Sequence, residues 1–425
     1  MYGFVYPGIF RDLILSLSVF LFMMSLLDLL SQRETWKGFY AYKMNLACPK
    51  TFQKELRAFI DRQAYMPVCE AIYRGDRFPI PKKSVVSKMS SQKKRVVYTY
   101  PHDENIVLKL LTYLLLRKYD SLFSDNLFSF RPQRTAKDAV LRLSKTPGIS
   151  EMYAYKADVG NYFNSIPVPI LKTKLAKSIS DDPRLLSFLI DLLEEREVLD
   201  NGTPIVEEKG IMAGTPLSAF FANLYLRDLD LFFQDAGTVY ARYSDDIILF
   251  AQSEAEIEER AAVVRAHLHN CGLTINPDKE CFFSPEDGWI FLGFQYRKGI
   301  LDIAPASVKK LKQKMRRKSR ALKRWHERNC LESEKAARAF IRVFIRKLFE
   351  NAADNELTWS YWFFPVLNTD KSLRELDHYA QDCIRFLLSG KRTKARYNAR
   401  YETLKTLGYR SLVHEYYLFR ENQKS

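Results

Sequence analysis

Two adjacent aspartates, Asp245 and Asp246, lie between two apolar segments of the sequence. Tyr243 precedes the pair by two positions, and residues 247–250 follow it as an unbroken apolar run that is typical of a β-strand. Two like charges at a buried turn repel each other unless a cation lies between them. The pair therefore predicts a β-hairpin whose turn binds Mg²⁺. The alternative is a solvated turn, which would be expected to carry Gly or Asn and polar flanking residues.

A third aspartate, Asp158, ends an alternating segment that is predicted to form a strand. Between it and the aspartate pair lies a loop punctuated by Gly and Pro, residues 209–219, and then an apolar helical pattern over 220–226. Taken alone, Asp158 fits a strand-end or capping role, which is the commoner use of Asp. A third carboxylate beside the pair would favour the metal site over the solvated turn.

These motifs, in this order, resemble those of a reverse transcriptase. Five similarities follow one another along the chain: residues 158–163 to motif A, 210–224 to motif B, 243–246 to the Tyr-x-Asp-Asp of motif C, 272–279 to motif D and 291–294 to the primer-grip motif E. Upstream, the fingers motifs of bacterial group II intron, retron and defence enzymes are similar to residues 80–83, 93–95 and 128–139. One such motif can arise by chance, whereas a collinear series does not.

The resemblance implies an α+β fold, a right-hand polymerase with fingers, palm and an α-helical thumb. The palm would be an antiparallel sheet backed by helices, with strands around residues 152–158, 238–250 and 289–303 and helices around 168–198, 217–234 and 254–271. The expected domains are a helical N-terminal extension over residues 1–75, fingers over 76–150, the palm over 151–300, and a basic helical thumb with the C-terminal region over 301–425.

The resemblance also assigns roles to the acidic residues. Asp158, Asp245 and Asp246 would be catalytic, and together with the carbonyl of Val159 they would hold two Mg²⁺ ions, for which Mn²⁺ can substitute. Oxygen ligands suit these ions, and a pair of them can activate a 3′-hydroxyl and neutralise a leaving pyrophosphate. The implied reaction is nucleotidyl transfer.

Further positions match residues that contact nucleotide or primer in this family. The implied nucleotide-binding residues are Lys93, Arg95, Arg131, Phe163, Gly214 and Lys279, and the implied primer grip is Leu292 and Gly293. Phe163 would clash with a ribose 2′-hydroxyl and so select dNTPs, and Lys279 would protonate the leaving pyrophosphate. The alternatives are a core Phe and solvated basic side chains. The sequence departs from many relatives at Ala213, where they carry Gln, and at Ser218-Ala219, where Ser-Pro is frequent.

The composition limits the partners. The chain has 425 residues, 47% of them hydrophobic, and a formal net charge of +16. A positive charge of this size favours binding to a polyanion or to an anionic membrane surface. The six scattered cysteines contain no Cys-x-x-Cys pair, which favours the reducing cytoplasm over a zinc site or a disulfide framework.

An uncharged apolar segment covers residues 13–27. It is shorter than the ~20 residues that span a bilayer, so we expect a buried or partner-facing helix and no stable membrane association. A membrane anchor is the alternative.

A basic helix is predicted after Ala306. Val308, Leu311, Met315, Leu322 and Trp325 fall on one apolar face, and no acidic residue lies between Asp302 and Glu327. We therefore expect nucleic-acid contacts from Lys312, Arg316, Arg320 and Arg324, although a solvated face is the usual fate of such runs. A second basic run, residues 391–400, contains Tyr397, which could stack on a base.

The resemblance leads to an RNA-directed DNA polymerase that makes cDNA from dNTPs. About 125 residues follow motif E, enough for a thumb rather than a maturase region and an endonuclease, which favours anti-phage defence enzymes. Among these, the single-protein type 2 systems use a cognate structured non-coding RNA as template. Two alternatives remain: an untemplated or protein-primed DNA polymerase of the abortive-infection type, and a non-catalytic RNA-binding scaffold, whose expected mark is a lost aspartate.

Overall fold

A computed structural model of the chain describes residues 24–45, 48–87, 94–208, 210–349, 359–391 and 393–423. Its contacts divide the chain into two compact units. Unit one comprises residues 1–45, 53–123 and 161–227, and unit two comprises residues 46–52, 124–160 and 228–425. The apolar segment 13–27 lies outside the described residues except for its last four positions. The boundaries of fingers, palm and thumb stay predictions.

Unit one combines helices with one small sheet. Its helices are α1 (Leu26–Leu29), α2 (Arg33–Met44), most of α3 (Lys50–Asp61), α4 (Met66–Arg74), α5 (His102–Lys118), α7 (Tyr162–Ser165), α8 (Val168–Ser178), α9 (Pro183–Glu194) and α10 (Ser218–Tyr225). Its strands are β1 (Lys82–Ser87), β2 (Lys94–Thr99), β4 (Glu197–Asp200) and β5 (Thr203–Val206), in the order β2-β1-β4-β5. Asn201 and Gly202, at φ 51° and 90°, form the tight turn between β4 and β5, as expected of an Asn-Gly pair.

The sequence explains the core of unit one. Helix α5 carries apolar residues on several faces, and those from Ile106 to Leu115 include six that are buried. A helix with this pattern is stable only in the interior of a domain, so α5 forms part of the core of unit one. The helical region predicted around 168–198 consists of α8 and α9. Asp182 lies between these two helices and caps the N-terminus of α9. Its carboxylate accepts a hydrogen bond from the N–H of Leu185 at 3.1 Å.

Unit two contains the central antiparallel sheet. Its strands are β3 (Tyr153–Asp158), β6 (Tyr240–Tyr243), β7 (Asp246–Ala251) and β8 (Cys281–Phe283), in the order β6-β7-β3-β8. Residues 247–251 of β7 are buried, as the unbroken apolar run predicts. Three further strands, β9 (Trp289–Phe291), β10 (Phe294–Arg297) and β11 (Ile300–Ile303), form a second antiparallel sheet. The α+β fold class with an antiparallel palm sheet is confirmed.

Helices make up the remainder of unit two. They are α6 (Ala136–Ser144), most of α11 (Arg227–Asp235), α12 (Glu254–Asn270), α13 (Pro305–Arg328), α14 (Ser333–Phe349), α15 (Trp359–Phe363), α16 (Lys371–Ser389), α17 (Tyr401–Thr406) and α18 (Leu412–Asn422). Across the described parts of both units, every helix is too short or too polar to cross a membrane.

The predicted basic helix is α13, and four of its five apolar positions are buried. Val308, Leu311, Met315 and Leu322 pack into the core of unit two. Trp325, near the end of the same face, is 40% exposed. Ser319 is also buried on the apolar face, between Met315 and Leu322. Its hydroxyl donates a hydrogen bond to the carbonyl of Arg316 at 3.1 Å, so this buried polar group has a partner within its own helix.

Candidate active site

Strand register brings the three predicted aspartates to one end of the central sheet. Strands β3 and β7 are antiparallel, and Asp158 at the end of β3 lies opposite Asp246 at the start of β7. Asp245 occupies the turn just before β7, and its carbonyl accepts a hydrogen bond from the N–H of Val159 at 3.0 Å. The resemblance of residues 158–163 and 243–246 to motifs A and C implied this convergence.

The electrostatics of this edge reflect crowded carboxylates. Burial raises the pKa of Asp245, and the charges of Asp246 and Asp158 raise it further. Burial also raises the pKa of Asp246, against the opposing effect of Lys156. Asp158 is only 4% exposed. The charged forms of Asp245 and Asp246 are therefore destabilised unless a cation is nearby.

Two lysines supply positive charge at this edge. Lys279 Nζ donates to Asp158 Oδ2 at 2.5 Å, and Lys156 Nζ lies 3.4 Å from Asp246 Oδ1. Burial opposes the charge of Lys279, but its hydrogen bond to Asp158 and the three carboxylates outweigh that effect and raise its pKa. Lys156 was not among the predicted site residues. The two-residue period of β3, which puts it on the same face as Asp158, is the signal that could have identified it.

The donor set fits Mg²⁺ chemically. In the ranges that the structure describes, no group of three Asp, Glu, His or Cys side chains, the three aspartates included, is already arranged as a metal cage. The carboxylates of Asp158, Asp245 and Asp246 and the carbonyl of Val159 nevertheless offer only oxygen, the ligand that Mg²⁺ prefers. A divalent cation there would supply the charge that Lys279 and Lys156 now provide.

In unit one, Phe163 packs against the predicted motif B loop. Its carbonyl accepts a hydrogen bond from the N–H of Ile211 at 2.9 Å, and its half-buried ring contacts that of Tyr162, with centroids 5.7 Å apart. Gly214 adopts φ 103°, and a Cβ there would lie 3.1 Å from the carbonyl of Tyr98. The predicted importance of Gly214 thus has a conformational reason.

The neighbouring Asn164 was missed from the sequence. Its side-chain Oδ1 accepts a hydrogen bond from the N–H of Ala213 at 3.4 Å, the position where many relatives carry Gln. A carboxamide is therefore present beside Ala213, but it comes from the motif A segment. Nothing in the local sequence pattern pointed to this contact, because it joins residues 49 positions apart.

Gly210 is the tightest point of this loop. A Cβ added there would lie 2.3 Å from the carbonyl oxygen of Phe163. Gly210→Ala is expected to reduce the free energy of unfolding by about 1–3 kcal/mol more than Gly202→Ala does, since overpacking adds to left-handed strain. Gly202 is the matched control, because it adopts φ 90° and a Cβ added to it would meet open space. Denaturant unfolding measures both losses, and equal losses would contradict the tight packing.

The remaining predicted nucleotide contacts upstream are Lys93, Arg95 and Arg131, and of these the structure describes the side chain of Arg131. Lys93 lies outside the described residues, and Arg95 lies in β2 without a described side chain. Arg131 is 7% exposed, and its guanidinium donates to the carbonyl of Ser124 at 2.6 Å. That burial favours a structural role for Arg131 over contact with a triphosphate.

The predicted primer grip is the turn between β9 and β10. Leu292 and Gly293 adopt φ 50° and 87°, and the carbonyl of Gly293 accepts a hydrogen bond from the N–H of Ala304 at 2.9 Å. A Cβ on Gly293 would lie 3.3 Å from Ser307 Oγ. The turn therefore has a fixed backbone at the start of α13.

The basic side chains of α13 divide into two classes. Lys312 pairs with Glu375 of α16, so the acid that the local sequence lacks comes from another helix. Arg316, Arg320 and Arg324 are exposed at four-residue spacing, which places them on one face. In the second basic run, Tyr397 is 52% exposed, and the Arg385 guanidinium lies 5.4 Å from its ring centroid.

Known proteins resemble this chain over its central part. The family described as "Reverse transcriptase (RNA-dependent DNA polymerase)" matches residues 80–296. Protein YkfC of Escherichia coli K12 is 22% identical over 266 residues, which cover 53% of this chain and 68% of YkfC. The group II intron-encoded protein LtrA of Lactococcus lactis subsp. cremoris is 24% identical over 182 residues, which cover 43% of this chain and 30% of LtrA.

Among solved structures, a C-terminally truncated apo telomerase from Candida tropicalis aligns with a TM-score of 0.45 and 12% identity, covering 53% of this chain and 55% of the telomerase chain. The chain thus spans about half of that structure and less than a third of LtrA. The family match extends over more than half of the sequence, residues 80–296, and it contains the three converging aspartates. The chain therefore belongs to the reverse transcriptase (RNA-dependent DNA polymerase) family, which makes it a nucleotidyltransferase.

Proposed function

We propose that this chain copies a cognate structured non-coding RNA into cDNA, using dNTPs, in the cytoplasm of a bacterium. The observation that carries the proposal is the register of β3 and β7, which sets Asp158 opposite Asp246 beside the turn that holds Asp245. All three carboxylates that two-metal nucleotidyl transfer requires are present. Their retention argues against a non-catalytic scaffold.

Each residue of the site has a proposed task. Asp158, Asp245 and Asp246 would hold two Mg²⁺ ions, which when bound activate the 3′-hydroxyl and neutralise the pyrophosphate. Lys279 stays protonated because its pKa is raised by the carboxylates against the effect of burial, and we propose that it donates its proton to the leaving group. The ring of Phe163 would exclude a ribose 2′-hydroxyl.

The template can be identified directly. The full-length protein, purified from cells without nuclease, is expected to carry one structured RNA species and DNA complementary to it, and sequencing of the bound nucleic acid measures both. Bound DNA unrelated in sequence to any bound RNA would contradict copying of a cognate template.

One observation favours a second candidate activity, untemplated or protein-primed DNA synthesis. Ala213 replaces the Gln that many relatives carry next to the incoming nucleotide, and Asn164 contacts only its backbone N–H. A site without that side chain suits polymerisation that reads no template. DNA synthesis that persists after complete RNase treatment of the purified protein would select this untemplated or protein-primed activity.

We propose further that the cDNA serves anti-phage defence, in the manner of the single-protein type 2 systems. Residues 128–139 resemble the fingers motifs of bacterial group II intron, retron and defence enzymes, and we propose the third of these classes. Cells that express the chain with its native flanking DNA are expected to form fewer plaques across a phage panel than cells with an Asp245→Asn, Asp246→Asn variant. Equal plaque counts with every phage would contradict it.

The exposed face of α13 is proposed to contact the phosphates of template and product. Changing Arg316, Arg320 and Arg324 together to Gln is expected to reduce the magnitude of the slope of log K against log[salt] by about 2–3, at ~0.7–0.9 per phosphate. Lys312→Gln is the matched control and should change the slope less, because Glu375 already neutralises that ammonium. Thermal stability should barely move, since the arginines are exposed.

Affinity for a structured RNA and for an RNA–DNA hybrid, each at several salt concentrations, measures this slope. A triple variant with the slope of the unchanged protein on both ligands would show that the basic face is only solvated.

A further inference from the structure

The turn that carries Asp245 has an unfavourable backbone. Ser244, directly before it, adopts φ 60°, a left-handed conformation that side-chain-bearing residues rarely take. Such a conformation persists only where the surroundings impose it. The contacts of Ser244 should therefore show what sets the position of the aspartate pair.

Three hydrogen bonds hold this turn. The N–H of Ser244 donates to Ser129 Oγ at 2.9 Å. The carbonyl of Ser244 accepts from Arg242 Nη1 at 3.1 Å, and the carbonyl of Asp245 accepts from the N–H of Val159 at 3.0 Å. The N–H and the carbonyl of Ser244 are thus both hydrogen-bonded to side chains, so a change in its backbone conformation would break these bonds.

Arg242 is itself held by a buried carboxylate. Its Nε and Nη2 donate to Asp230 Oδ1 at 2.7 Å and Oδ2 at 2.5 Å, and both side chains are 0% exposed. Tyr240 also donates its hydroxyl to Asp230 Oδ1, at 2.8 Å. A bidentate pair fixes the plane of the guanidinium, and in this orientation the third arm, Nη1, donates to the Ser244 carbonyl. Helix α11 thereby reaches the turn through Asp230.

We propose that Asp230, Arg242 and Ser129 are positioning residues for the catalytic turn. They act through the Ser244 peptide to impose its left-handed conformation, and so they set the place of the Asp245 and Asp246 carboxylates for cation binding. None of the three is needed as a reacting group in nucleotidyl transfer itself. The inference rests on the proposed function, because it takes Asp245 and Asp246 to be the metal-holding residues.

The alternative is that the ion pair only stabilises the core, as any buried pair whose partners depend on each other does. Arg242→Lys separates the two roles. Lysine keeps the positive charge for Asp230, but a single ammonium lacks the rigid fork that serves Asp230 and the Ser244 carbonyl together. Ser129→Ala removes the other bond to Ser244 and leaves the ion pair intact.

The test measures Mn²⁺ binding by electron paramagnetic resonance and amide hydrogen exchange across residues 240–251, alongside kcat and melting temperature, on the full-length protein. For Arg242→Lys and for Ser129→Ala we expect Mn²⁺ dissociation constants raised about tenfold, faster exchange of the turn, and kcat lowered about tenfold to a hundredfold. The dissociation constant for an RNA–DNA hybrid without metal should not change.

Asp377→Asn is the matched control. Asp377 is another buried aspartate of unit two, 5% exposed, and it accepts hydrogen bonds from the Tyr409 hydroxyl and the N–H of Leu412, each at 2.7 Å. This variant should have a lower melting temperature and an unchanged dissociation constant for Mn²⁺. If destabilisation alone weakened the site, Asp377→Asn would weaken Mn²⁺ binding as well, and the positioning role would be overturned.

A folded Arg242→Lys protein with unchanged Mn²⁺ affinity and unchanged exchange of the turn would likewise overturn it. If Arg242→Lys does not fold, the same two measurements on Ser129→Ala test the positioning role, and unchanged values would overturn it. Asp245→Asn with Asp246→Asn, measured in parallel, tests the proposed function separately. If that double variant binds Mn²⁺ and polymerises normally, the metal assignment fails; if it loses both while the positioning variants behave as the unchanged protein, only the present inference fails.

Discussion

Replacing Asp245 and Asp246 together by Asn is expected to reduce the rate of dNTP incorporation about a thousandfold or more, which corresponds to about 4 kcal/mol of transition-state stabilisation. The folded protein should be at least as stable at neutral pH. Burial and then neighbouring charge raise the pKa of Asp245, and burial raises that of Asp246. A carboxyl whose pKa is raised by folding destabilises the fold as pH rises past its unfolded pKa, so removing both charges removes that cost.

Glu286 and Asp287 provide the matched control for this double variant. They are a second adjacent acidic pair of unit two, and both are exposed. Changing them to Gln and Asn removes the same two charges and should leave incorporation unchanged. Single-turnover incorporation and thermal unfolding give the two quantities. Incorporation by the Asp245→Asn, Asp246→Asn variant at a near-normal rate would falsify the catalytic assignment.

Phe163→Ala is expected to raise the ratio of kcat/KM for an rNTP to that for the matching dNTP by about tenfold or more, a change of ~1.4 kcal/mol in discrimination. The ring follows Asp158 by five positions, and its removal opens space for a 2′-hydroxyl. The backbone should stay in place, because the Phe163 carbonyl accepts a hydrogen bond from the N–H of Ile211 at 2.9 Å.

Tyr162→Phe is the control for Phe163. It removes one buried hydroxyl, which donates to the carbonyl of Ala222 at 2.6 Å, from the adjacent aromatic residue. This change should leave the sugar preference as it was. The measurement is steady-state incorporation of a single nucleotide of each kind, and an unchanged ratio in Phe163→Ala would remove Phe163 from the determinants of specificity.

The elements that the sequence predicts well are those with strong local patterns. The apolar run after Asp246 predicted buried strand β7, and the three- and four-residue spacing from Val308 predicted α13. Position on a local pattern was sufficient for both of these elements. The convergence of Asp158 with Asp246 joins distant segments, and it was implied by the resemblance to motifs A and C rather than by a local pattern.

The sequence failed where a contact joins distant segments. Arg131 looked like an exposed phosphate ligand, but the fold buries it against the carbonyl of Ser124. Lys312 looked unopposed, but Glu375 lies 63 positions away in sequence and pairs with it. The contact of Ser129 with the catalytic turn spans 115 positions. Such partners are set by tertiary packing, on which propensity and periodicity carry no information.

The activity that we propose for this protein is DNA synthesis on an RNA template at the three converging aspartates. The most direct measurement is incorporation of dNTPs by the purified full-length protein on a primed RNA of defined sequence, followed by sequencing of the product. We expect DNA complementary to that RNA, made only with Mg²⁺ and absent with the Asp245→Asn, Asp246→Asn variant. A product whose sequence ignores the RNA, or one made equally well by that variant, would contradict it.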